Sequence, residues 1–138
     1  MTTGFHNASH HGEREDRIMD FAKINRYHVS MIPYLLDKLK ATREGDVTLL
    51  DNSLIVYGSP MGDSNIHNHK RVPLLVAGHA GGKLQGGMHI KAPDGTPMAN
   101  PMLTMLHMLG RTDLNSFGDS TGELDLNNAP VVLTDAKG

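Results

Sequence analysis

Ser53-Leu54-Ile55-Val56-Tyr57-Gly58 and Val72-Pro73-Leu74-Leu75-Val76-Ala77-Gly78 are continuous apolar runs separated by a polar stretch at 59–71. Neither alternates apolar with polar residues, which is how strands covered on both faces of a parallel sheet read. Upstream, Ile18, Phe21, Ile24, His28, Met31, Ile32, Leu35, Leu36 and Leu39 recur at spacings of three and four, which predicts an amphipathic helix over 16–39. Glu13, Glu15 and Asp16 at its start and Lys38 and Lys40 at its end suit the helix dipole. Pro33 lies inside the pattern, and its missing N–H predicts a kink or a junction of two helices. Gly45, in the segment 43–46, ends the helix. A helix that leads into a buried strand is half of an α/β unit. The expected fold is therefore α/β, with mostly parallel buried strands, flanking helices and a small hairpin.

Downstream, five glycines in 78–87 predict a hairpin whose second arm is Met88-His89-Ile90-Lys91. Residues 92–97 carry the proline, aspartate and glycine of a turn. Met102, Leu103, Leu106 and Leu109 mark a second helix over 98–109, closed by Gly110 in the left-handed capping position. The tail at 125–138 holds one strand signal, Val131-Val132-Leu133.

At 138 residues and 38% hydrophobic content the chain suits one modest domain. Thirteen basic residues against fifteen acidic ones give a net charge of -2, and no basic run exceeds Lys70-Arg71, so no nucleic-acid partner is expected. No stretch is apolar for long enough to span a membrane, and the first residues carry no basic region followed by an apolar one. With no cysteine there is no disulfide, no thiolate zinc site and no cysteine nucleophile.

Nine histidines are the unusual feature. His6, His10 and His11 precede the long helix, and His67 and His69, with Asp63, follow the first apolar run. Imidazole and carboxylate are the ligands that zinc and its neighbours favour, and strand ends are where α/β sheets hold ligands. His6 and His10 align if their stretch is helical, and His67 and His69 share a side if theirs is extended. These residues are the expected ligands of a divalent metal, zinc first, with manganese or iron as alternatives. Ser9, between histidines without the glycines of a nucleophile elbow, is expected to orient a ligand. His28 falls on the apolar stripe and reads as a core histidine. The loop from Gly78 to Lys83 is one residue short of a phosphate loop, and Leu84 stands where a hydroxyl residue should.

The string His6-Asn7-Ala8-Ser9-His10-His11 matches HxxSHH letter for letter. With the stretch LLDKLKATREGDVTLLDNSLIVYGSPMGD at 35–63, His67-Asn68-His69, TPMAN at 96–100 and SFGDSTG at 116–122, it resembles the bacterial HxxSHH family, a domain of unknown function, over about residues 4–124. Members of that family are typically longer and often exported, so this chain resembles their carboxyl-terminal part, and the resemblance implies a periplasmic or exported protein. The family in turn is similar to the alkaline phosphatase and sulfatase superfamily. That implies a partial alkaline-phosphatase-like sandwich over 1–124, with His6 and His10 as a spaced ligand pair, Asp63 or Ser59 as the strand-end ligand and His67 or His69 as the later histidine. The implied substrate is a small phosphate or sulfate ester, with the nucleophile supplied by an amino-terminal half. The alternative is a non-catalytic member that binds a partner protein or a glycan. An open sheet lacking that half presents an unpaired edge, through which two copies are expected to associate.

Overall fold

The computed structural model describes residues 4–128. Its elements are α1 (Phe5–Ser9), α2 (Glu15–Ala41), β1 (Arg43–Glu44), β2 (Val47–Thr48), β3 (Ile55–Gly58), β4 (Leu74–Ala77), a 3-10 turn (Ala80–Gly82) and α3 (Ala99–Met108). Helices and short strands are mixed, so the fold is broadly α/β. Two compact units divide it: the residues up to Leu50 with Tyr57–Leu75, and Asp51–Val56 with those from Val76 onward.

In the first unit α2 carries Glu15 and Asp16 in its first turn and Lys38 and Lys40 in its last. It continues as one helix through Pro33, so the expected junction of two helices does not occur. Pro33, which has no N–H to offer the Val29 carbonyl, and Val29 are both exposed, so that carbonyl lies in a solvent-facing part of the helix. Thr42 closes the helix, its hydroxyl and its N–H both donating to the Lys38 carbonyl at 2.9 and 3.1 Å. The chain then reverses in an antiparallel hairpin that pairs Arg43 with Thr48 and Glu44 with Val47. Gly45, at φ +63, supplies the positive φ that a two-residue hairpin loop requires.

β3 and β4 form the second two-stranded sheet. The Ser59 N–H donates to the Pro73 carbonyl at one end, and the Ala80 N–H to the Ser53 carbonyl at the other. Residue numbers rise along one strand as they fall along the other, so the pair is antiparallel. This corrects the expected sandwich of mostly parallel buried strands, and every strand residue keeps some exposure. A parallel pair needs a crossover, ordinarily a helix. The connection at 59–73 holds no helix and returns the chain along its neighbour.

In the second unit α3 follows the turn at 93–96, where the Thr96 N–H donates to the Pro93 carbonyl at 3.1 Å. Gly110, at φ +91, ends it: the Gly110 N–H reaches the His107 carbonyl and the Arg111 N–H that of Leu106, the paired bonds of a Schellman motif. Leu103, 2% exposed, is the most deeply buried large side chain, whereas Leu109, expected on the same stripe, is 56% exposed. The buried face also carries Asn100 and Thr104. Asn100 accepts from the Thr121 N–H at 2.9 Å, and the Thr104 hydroxyl from the Leu124 N–H at 3.0 Å. Two polar side chains one turn apart thus hold a strandless segment against the helix, in place of a β ladder. The expected strand at 88–91 does not form. Asn127 fastens the start of the tail, accepting from the Gln85 N–H and donating to the Lys83 carbonyl. The signal at Val131-Val132-Leu133 lies outside the described residues.

Candidate metal centre

Both histidine segments belong to the first unit. In α1 the Ser9 hydroxyl donates to the His6 carbonyl at 2.7 Å, closing the single turn. That turn brings His6 beneath His10, with ring centroids 4.8 Å apart and planes at 75°.

The second segment is a self-closed loop. Asp63 and Asn68 form an antiparallel bridge, and the Asp63 carboxylate accepts the Asn65 N–H at 2.9 Å. The Asn68 side chain accepts the Lys70 N–H at 2.8 Å. Each is a side chain folding the backbone two residues on, a habit of Asn and Asp in turns. His67, at the tip, has φ +55, a left-handed conformation uncommon for a residue with a Cβ but enriched in histidine. A methyl at Gly62 would run into the Lys70 carbonyl, so the loop closes this tightly only around glycine.

Three hydrogen bonds tie the two segments together. The Ser64 hydroxyl donates to the Ser9 carbonyl at 3.1 Å, the Gly12 N–H to Asn65 Oδ1 at 2.8 Å, and Asn65 Nδ2 to Glu13 Oε1 at 3.0 Å. The His67 ring then stands against His10, centroids 4.9 Å apart at 68°. Imidazoles from two distant parts of the sequence thus form one row, His6, His10, His67. The sequence carried no signal for Asn65 as the clamp beyond its place in a polar loop, since its partners lie more than fifty residues away.

The other expected residues are engaged elsewhere. His11 Nδ1 accepts the Glu13 N–H at 3.2 Å and its ring lies 6.4 Å from that of Phe21, so His11 faces α2. His69 Nδ1 lies 2.8 Å from the Pro60 carbonyl. Donation there places the proton on Nδ1 and leaves the Nε2 lone pair for a ligand. One Asp63 oxygen is spent on its turn, and the Ser59 hydroxyl accepts the Met61 N–H at 3.1 Å. Ser9 acts on the backbone rather than on an imidazole nitrogen. His28, expected in the core, is exposed with its ring 5.4 Å from that of Phe5. Lys83, of the glycine-rich loop, donates to the Met108 carbonyl at the end of α3.

Among the described residues no group of three or more His, Asp or Glu side chains is placed so that it could hold a metal ion. The row consists of imidazoles, the donor type that borderline divalent ions take, and both of its ends, His6 and His67, are exposed. No helix among the described residues is long and apolar enough to cross a membrane. No family model, curated protein or solved structure matches the chain.

Proposed function

We propose that this chain binds a divalent transition metal, zinc by ligand preference, at His6, His10 and His67, as part of a hydrolase-like domain of the alkaline phosphatase and sulfatase type. The observation that supports this is the row of three imidazoles assembled from two sequence-distant segments and held by the bonds of Ser64 and Asn65. His69, with Nε2 left over, is the further donor, and His11, Asp63, Ser9 and Ser59 hold the backbone beside the ligands. The resemblance to the HxxSHH family agrees with this, since two of the three imidazoles lie within the signature string. A bound ion would polarise a phosphoryl or sulfuryl oxygen of an ester substrate.

Zinc titrated calorimetrically into the protein is expected to bind at about one ion per chain. The double variant His10→Ala, His67→Ala should lose at least about tenfold in affinity with its helical circular dichroism intact. Zinc bound equally well by that variant would refute the assignment.

A second reading has its own support. The hydroxyl protons of Ser9 and Ser64, one from each histidine-bearing segment, are both committed to backbone carbonyls, so neither is poised as a nucleophile. On that reading the domain holds metal and recognises a partner protein or a glycan without turnover. Aryl phosphates and sulfates assayed with zinc, manganese or iron separate the two: hydrolysis lost with the histidines supports the enzyme, and stoichiometric zinc without hydrolysis supports the binding domain.

A further inference from the structure

We infer that α2 is an association surface through which two copies of this chain pair side by side and antiparallel. Asp20, Ile24, Tyr27, Met31, Tyr34 and Lys38 follow one another at alternating steps of four and three, the seam of a coiled coil. Ile24 is buried, but Tyr27, Met31 and Tyr34 are 64%, 49% and 63% exposed. Exposed apolar side chains occur on several sides of α2, Ile18, Met19, Val29 and Leu35 among them, and Tyr27, Met31 and Tyr34 are the three that line up at the seam spacing.

The charges on the seam identify the occupant as a second copy. The seam is acidic at its start, at Asp20, and basic at its end, at Lys38. A twofold axis midway between them sets Asp20 of each copy against Lys38 of the other and Tyr27 against Met31. The same patch then complements itself, as a twofold interface requires. Parallel pairing would instead set Asp20 on Asp20 and Lys38 on Lys38. Neither charge is locked within its own chain. Asp20 meets Lys23 in an exposed pair at 2.9 Å, and the Lys38 ammonium lies 5.4 Å over the Tyr34 ring, both weak contacts in water. Tyr27 on Met31 is a sulfur–aromatic contact of the kind that favours such a seam.

Sedimentation equilibrium of the full chain, with chelator present so that metal plays no part, tests the inference. The wild type is expected to dimerise, and Met31→Glu to be monomeric with unchanged circular dichroism. Asp20→Lys and Lys38→Asp should each weaken association about tenfold or more, because each sets like charges together twice. A mixture of the two single variants, or one chain carrying both changes, should regain it. A wild type that stays monomeric up to roughly millimolar concentration overturns the inference. So does a dimer that survives Met31→Glu, which would locate the contact on another surface such as a sheet edge. Loss in the single variants without recovery on mixing would rule out the antiparallel register and overturn the proposal as stated.

Discussion

His107, on α3, has an acceptor at each ring nitrogen: the Leu114 carbonyl 2.7 Å from Nε2 and Glu123 Oε1 2.9 Å from Nδ1. Only the imidazolium can donate to both. The Leu114 carbonyl first, and then Glu123 and Asp113, raise its pKa above the ordinary 6.5, while partial burial works the other way. A raised folded pKa means that the folded state binds the proton more tightly than the unfolded one. The stability this adds is full below about pH 6.5 and is lost as pH rises through the higher folded value. Unfolding midpoints of the wild type and His107→Gln should therefore differ most in mild acid and converge as pH rises through the folded value. A gap that stays constant across that range would show that His107 contributes shape alone. Nothing in the sequence announced this residue, because its three partners come from the irregular segment after the helix.

At the scale of elements, the hairpin-like loop at 62–70 matters more than its length suggests, since it alone places His67. Gly62→Ala is expected to open it, because the added methyl meets backbone at the Lys70 carbonyl rather than a side chain that could swing aside. Amide exchange should then show loss of protection at the Asn68 N–H, which donates to Asp63 at 2.8 Å, and zinc affinity should fall with it. Retained protection at Asn68 would mean that the loop tolerates the methyl. The two long helices were legible at this scale, 16–39 as Glu15–Ala41 and 98–109 as Ala99–Met108, because a period of three to four over several turns has one reading, whereas the single turn of α1 carries no such period. β3 and β4 were legible in place but not in direction, whereas β1 and β2 were not expected and the strand expected at 88–91 does not form. An apolar run of four or five residues carries no record of which way its neighbour runs, and here that was settled by a connection that folds on itself.

For the molecule as a whole, burial is concentrated in few residues. Leu103, 2% exposed, is expected to cost about 2–5 kcal/mol when cut to alanine, by lost transfer energy and the cavity left behind. Leu109→Ala, at an exposed position, should stay within about 0.5 kcal/mol. Denaturant titration of both variants checks this, and equal costs would mean that the core lies elsewhere. The long helix shows the same economy, with Ile24 its one buried residue, which is why its remaining apolar residues are free to form the seam proposed above.

Local order, meaning helix extents, the Gly110 stop, the turn at 93–96 and the histidine-rich segments, was set by the sequence alone, because spacing and capping act within a few residues. Only tertiary structure decided that β3 and β4 run antiparallel, that His67 rather than Asp63 meets His10, and that Asn65 clamps the two segments. The histidine row and the Asn65 clamp rest on contacts between residues more than fifty positions apart, and the strand pairing on bonds such as Ser59 to Pro73 and Ala80 to Ser53, whose geometry no local pattern encodes.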